Sequence, residues 1–250
     1  MYPMTETILV VNDQLNDFLP KSKKGKSIIC TFNGNPSVKH LIESQGIPHT
    51  EIGQILVNDL SVDFNCKVHF GDSIEVFPAS PQLDLLAGLY SNGNITFEPC
   101  FVLDNHLGKL ATYLRIFGFD ANYRNDIQDD ELVEISSNAD RILLTRDRQL
   151  LMHKTIRYGY WVRSIKPENQ VTEIIHRFGL KELITPFHRC LRCNISLQPV
   201  SKEAIAHKLE PLTKRYFDDF RICPECDQIY WKGSHYERMV RLIDRVLSNS

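Results

Sequence analysis

Two cysteine pairs set the narrowest limit on what this chain can become. The stretches "RCLRC" and "RICPECDQIYW" place Cys190-x2-Cys193 and Cys223-x2-Cys226 with 29 residues between the pairs. Two such pairs supply four thiolates for a tetrahedral structural Zn²⁺ and leave no coordination position open for chemistry. A redox reading of either pair would need a cysteine opening a helix, and that context is missing. His235 is superfluous as a ligand beside four cysteines and is expected to contact substrate or backbone. Cys30, Cys66 and Cys100 stand alone and read as ordinary thiols, a usage that suits a reducing compartment.

A length of 250 residues with 42% hydrophobic content exceeds what one core needs, so several domains are expected. The chain carries a net charge of -2, unevenly spread: residues 1–80 hold 6 Lys/Arg against 9 Asp/Glu, and residues 188–250 hold 11 against 8. With no long basic tail, a polyanion would have to meet a local patch. The opening "MYPMTETILV" has no basic-then-apolar leader pattern, and no run reaches the roughly 18 apolar residues of a membrane span. A soluble, cytoplasmic protein without a membrane partner is the expectation.

The tempo of the sequence divides the chain. Residues 6–79 read as a strand, a hairpin, the helix "SVKHLIESQG" and further short strands separated by "ND" and "FGD" turns. Ser37 is the expected N-cap, Val38, Leu41 and Ile42 the apolar stripe, and Gly46 the stop. Residues 81–97, with the turn Asn92-Gly93-Asn94, read as a linker. From residue 100, short apolar runs alternate with amphipathic segments: "CFVLD", "HLGKLATYLRIFG", "FDANY", "DELVEISSNAD", "RILLT", "DRQLLMHKTIRYG", "YWVRSI" and "PENQVTEIIHRFG". That alternation predicts an α/β domain, a mostly parallel sheet covered on both faces, with chemistry where strands end and helices begin.

Acids gather at those ends. Asp104 follows "FVL", Asp126 follows the strand near Tyr123, and Asp147 follows "RILLT". Asp129, Asp130 and Glu131 lead into a helix, and one of the first two is expected to cap it. Carboxylates converging from separate strand ends repel one another unless a cation lies among them, so the pattern points to Mg²⁺ or Mn²⁺. Arg115 and Arg146 are read either as phosphate holders or as ion-pair partners of the acids. Arg148 is read as solvated, Thr145 as a local hydroxyl partner, and Gly108 as a site of close substrate approach or of packing.

The run "FVLDNHLGKLATYLRIFGFDANY" with "DDEL" and "RILLTRDRQLL" resembles the C-terminal ribonuclease domain of the mut-seven protein, a PIN-like nuclease family. The resemblance is strong over about residues 98–245. It implies a PIN-like three-layer domain at 98–187, with a zinc ribbon and C-terminal helix at 188–250. The front segment, 1–80, is similar to the ubiquitin-like β-grasp fold of sulfur carriers. Those carriers end in a free Gly-Gly, whereas this segment ends in "FPAS", so a protein-docking module is expected instead. By the resemblance, Asp104 and Asp147 hold a catalytic metal, and Asp126, Asp130 and Glu131 compete for the intermediate acid position. Lys109, Arg115 and Arg146 belong to the substrate side.

At the ribbon edge, Trp231, Lys232, His235 and Tyr236 combine aromatic and basic groups suited to unpaired RNA bases and phosphates. Trp231 and Tyr236 would equally well cover the small zinc core. The leading expectation is a metal-dependent ribonuclease acting on RNA through a carboxylate-bound Mg²⁺ or Mn²⁺, with structural Zn²⁺. The alternative is a noncatalytic RNA-binding or adaptor protein with a docking β-grasp module.

Overall fold

The computed structural model describes residues 5–79, 90–91, 94–95 and 99–248. Most of the expected linker, with Asn92 and Gly93 of its turn, lies outside the described residues.

The front sheet is built from β1 (Thr5–Val11), β2 (Ile28–Phe32), β3 (Ile52–Val57), β4 (Leu60–Ser61) and β5 (Ser73–Pro78), in the order β2-β1-β5-β3-β4. β1 and β5 run parallel at the centre, and the outer pairings are antiparallel. The helix Val38–Ser44 covers one face. Ser37 caps it as expected, its hydroxyl accepting from the His40 N–H, while Val38, Leu41 and Ile42 are buried. Gly46 follows with φ 88°, a backbone state that costs a side-chain-bearing residue. Asn58 and Asp59, both at positive φ, form the tight β3–β4 turn that "ND" announced. The core is aliphatic, with Leu9, Leu15, Ile42, Ile47 and Ile74 fully buried. This is the ubiquitin-like β-grasp arrangement.

Beyond a two-residue pair, β6 (Tyr90–Ser91) and β7 (Asn94–Ile95), the α/β alternation begins. β8 (Cys100–Leu103) leads through the helix Gly108–Phe117 to β9 (Asp120–Asn122), and the two strands pair in parallel. The helix Asp129–Asn138 leads to β10 (Ile142–Thr145), which pairs in parallel with β11 (Gly159–Trp161). Every residue of β10 is buried, as expected for a strand covered on both faces. The helix Pro167–Arg177 packs against Gly108–Phe117.

The segment after β10 departs from the expected helix. Only a 3-10 turn, Leu150–Met152, forms there. Leu150, Leu151 and Ile156 are buried, while Arg148 ahead of them reaches the Phe18 carbonyl and the His153 ring bonds the Thr155 hydroxyl within the turn.

The ribbon is an antiparallel sheet of β12 (Gln198–Val200), β13 (Phe220–Ile222) and β14 (Ile229–Trp231), followed by the helix Ser234–Ser248. Leu242, Ile243 and Val246 form the buried face of that helix. Between β12 and β13 a short helix, Pro211–Tyr216, is opened by proline at its first turn. Among the described residues no helix is long and apolar enough to cross a membrane.

The chain forms two compact units that do not follow its linear order. One joins residues 1–97 with 128–161, and the other joins 98–127 with 162–250.

Within the first unit the front module is fastened to the segment around β11. The buried Glu51 carboxylate accepts the Trp161 backbone N–H at 2.7 Å. The Arg148 guanidinium stacks 3.9 Å from the Trp161 ring centre and donates to the carbonyls of Phe18 (3.2 Å) and Asp17 (3.3 Å). Arg148 is therefore a clamp, not the solvated side chain expected from its charge.

Candidate functional site

Asp104 ends β8 with only 5% of its surface exposed. Its Oδ1 accepts the His106 N–H at 2.8 Å, capping the Asn105–Leu107 turn. A buried carboxylate at the carboxyl end of a buried strand is where the α/β pattern places chemistry. Asp147 follows β10 and is exposed. Its N–H donates to Thr145 Oγ1 at 2.9 Å and its Oδ1 accepts the Gln149 N–H at 2.8 Å, so the expected hydroxyl partner is in place. Arg146 is exposed, and its carbonyl accepts the Trp161 indole N–H.

The intermediate acids separate. Asp126 is exposed and pairs with Arg124 at 3.2 Å. Asp130 and Glu131 lie in the first turn of Asp129–Asn138, where they favour the helix dipole. Neither they nor Asp129 caps the helix; the N-cap position belongs to Gln128 and carries no side-chain cap, which corrects the expectation of an aspartate there. Asp104 and Asp126 stand in one compact unit, while Asp130, Glu131 and Asp147 stand in the other. Within neither unit do three of these acids converge among the described residues. Lys109 is exposed in the first turn of Gly108–Phe117.

Arg115 corrects its assignment to phosphate. It is 5% exposed, and its guanidinium donates to the Ala121 carbonyl (3.0 and 2.8 Å), the Leu191 carbonyl (2.8 Å) and the Arg192 carbonyl (3.0 Å). Burial lowers its pKa from the ordinary value, opposed by the neighbouring Cys190 and Asp120. The side chain ties its helix and β9 to the first cysteine knuckle. Asn194 completes the joint: its Oδ1 accepts the Ala121 N–H and its Nδ2 donates to Asp120. Gly108 resolves toward packing, because a Cβ there would lie 2.6 Å from the Tyr123 hydroxyl oxygen.

The four cysteines form a cluster that could ligate a metal ion. The sulfurs of Cys190, Cys193, Cys223 and Cys226 lie within 4.8 Å of one another. Tetrahedral ligation at a Zn–S distance of about 2.3 Å puts sulfurs about 3.8 Å apart, and Cys190 and Cys226 are separated by 3.7 Å. The donor set and spacing fit zinc, and the cluster could bind it.

The two knuckles repeat one backbone design. Asn194 N–H bonds the Cys190 carbonyl and Asp227 N–H the Cys223 carbonyl; Cys190 N–H reaches Ile195 and Cys223 N–H reaches Gln228. Asn194 (φ 66°) and Asp227 (φ 58°) make the left-handed step that closes each turn, a state Asn and Asp tolerate best after glycine. Burial works against the Cys190 thiolate, but N–H groups of Cys193 and Arg192 and the Tyr230 hydroxyl outweigh it and bring the thiol down to about 6. Sharing with Cys226, followed by burial and the Cys190 charge, pushes Cys193 up to about 12. Burial and the Cys190 contact raise the Tyr230 hydroxyl above its ordinary value.

At the ribbon edge, Trp231 is 38% exposed and tilts against Phe220 at 6.4 Å between ring centres. Tyr236 packs on Phe187 at 4.4 Å, Lys232 pairs with Asp219 at 3.2 Å, and His235 is exposed. The cysteine cluster is covered by Tyr230 and Leu197, and part of Trp231 faces solvent.

Residues 99–243 match the Mut7-C RNAse domain, and residues 4–84 match the Mut7-C ubiquitin domain. The chain belongs to the Mut7-C RNAse domain family. No curated protein and no solved structure matches it. Within the Mut7-C segment lie Asp104, Asp147 and the four cysteines, and the matched ubiquitin domain contains the β-grasp sheet. Sequence reasoning missed Arg115 and Asn194 as the joint to the ribbon, and Arg148 as the clamp on the front module. Only the Asn directly after a Cys-x2-Cys pair offered a local cue, for Asn194.

Proposed function

We propose that this protein is a metal-dependent ribonuclease. Asp104 and Asp147 hold Mg²⁺ or Mn²⁺, with the intermediate acid drawn from Asp126, Asp130 and Glu131. Carboxylate oxygens suit such hard cations, as the ribbon thiolates do not. The bound ion would activate water and stabilise charge on the scissile phosphate. Arg146, exposed beside Asp147, and Lys109, exposed on the helix after Asp104, meet RNA phosphates. The ribbon holds structural Zn²⁺ and places RNA, the ubiquitin-like module docks a protein partner, and the protein works in the cytoplasm. The working division is 1–80, 81–97, 98–187 and 188–250.

The observation that carries this reading is Asp104, a buried strand-end carboxylate inside the segment matching the RNAse domain. The test is cleavage of a panel of single-stranded and structured RNAs with Mg²⁺ or Mn²⁺, comparing the parent with Asp104→Asn and Asp147→Asn. Each carboxylate accepts a backbone N–H through Oδ1, and an asparagine oxygen accepts the same bond, so these substitutions remove charge while keeping the turns. Metal-dependent products lost in both variants are expected. RNA retention without turnover in the parent would replace the enzyme by an RNA-binding adaptor.

A further inference from the structure

Beside the zinc site, a cavity of about 210 Å³ opens between the Pro186–Phe187 turn, the ribbon sheet and the start of the C-terminal helix. It is small against the roughly 300–1,000 Å³ of sites for drug-sized ligands. Phe187, Tyr230, Trp231 and Tyr236 give it aromatic walls. Arg189, Arg221 and Lys232 face it against a single carboxylate, Asp219, so its lining carries a surplus of two positive charges.

The cations are not equivalent. Arg189 is fixed by bonds to the Gly118 and Asn194 carbonyls, and Lys232 is paired with Asp219. The side chain of Arg221 is exposed and has neither a hydrogen bond nor an ion pair among the described residues. Phe187 adds an independent sign. It stands at φ 63°, where a bulky side chain is strained, yet it is only half-buried, so core packing does not account for the strain. In that backbone state the Phe187 N–H donates to the Ile116 carbonyl at 3.1 Å, and the ring packs against Tyr236 as one wall of the cavity. Strain of this kind gathers at binding sites.

We infer that this cavity receives one unpaired nucleobase of RNA against the Trp231 and Tyr236 rings, with an adjoining phosphate on Arg221. The inference rests on the RNA reading above and deepens it. Aromatic faces stack any base, the volume admits a single heterocycle, and a free guanidinium matches a phosphate fork. No base-edge readout is required, so recognition is of an unpaired nucleotide rather than of a sequence.

The experiment uses the full zinc-loaded chain. Tryptophan emission is followed during titration with adenosine 5′-monophosphate and with ribose 5-phosphate, and the affinity for a single-stranded RNA octamer is measured by anisotropy. Saturable quenching by the nucleotide, absent for ribose 5-phosphate and lost in Trp231→Leu, is expected. In Trp231→Leu the octamer should bind about tenfold more weakly, the size of one base–aromatic stack. Arg221→Gln should weaken binding and lower the salt slope by about one. Zinc content checks that each variant keeps its ribbon. Octamer affinity unchanged in Trp231→Leu, with no quenching by the nucleotide, would overturn the pocket and leave the RNA reading standing. Absence of any RNA binding or cleavage by the parent would overturn both.

Discussion

Replacing Arg148 tests whether the front module is held to the segment that carries Asp147. Its guanidinium makes two bonds to carbonyls, at 3.2 and 3.3 Å, and lies 3.9 Å from the Trp161 ring centre. One bond sits at the long end of the normal range and the other just beyond it, so each is worth about 1 kcal/mol. A partly buried cation–π contact adds about 1 kcal/mol. Water replaces some of these interactions in the variant, which leaves an expected loss of about 2 kcal/mol for Arg148→Ala. Arg148→Lys keeps the charge but neither the fork nor the flat stacking face, so it should recover less than half of that loss. The assay is urea unfolding followed by Trp161 emission in a Trp231→Phe background, since the chain has two tryptophans. The emission maximum should shift even before unfolding, because the cation leaves the indole face. A loss below about 0.5 kcal/mol, the scatter of ordinary surface changes, would refute the clamp. So would a lysine that equals arginine.

Tyr230→Phe removes a hydroxyl that contacts Cys190 Sγ at 3.3 Å. Cys190 should then lose part of its lowered pKa; because its thiolate persists above about 6, zinc uptake by the metal-free protein near neutral pH should weaken about tenfold, measured against a chromophoric chelator. For the metal-free cluster the sign follows directly: with a folded value below the usual 9.0, the Cys190 thiolate contributes stability above that value and loses it as pH falls through about 6. Arg115→Met leaves the Ala121, Leu191 and Arg192 carbonyls without their donor, so a loss of about 3 kcal/mol and faster zinc release are expected together in thermal unfolding and chelator competition. A stability loss with unchanged zinc release would detach Arg115 from the knuckle. Gly108→Ala pushes a methyl onto the Tyr123 ring and should cost about 1–3 kcal/mol by chemical denaturation; a neutral result would show that the ring moves freely.

Much of the architecture was legible because it depends on near neighbours in the chain. Ser37 three residues before an N–H, "ND" between two short strands, and two Cys-x2-Cys pairs are each closed within a turn or two. The same holds for strand–helix alternation, where the period alone tells which side chains enter the core. It overreached at 147–159, where a 3-10 turn stands in place of the expected helix.

The sequence by itself determined the β-grasp sheet, the strand-end position of Asp104 and Asp147, and the four-thiolate cluster. Tertiary structure decided what the cations do. A guanidinium satisfies its donors on a phosphate, a carboxylate or a carbonyl, and the choice depends on atoms far along the chain: Arg115 meets Leu191 and Arg148 meets Phe18. Charge and periodicity describe a residue's own side of the contact, whereas the partner is supplied only when distant segments pack.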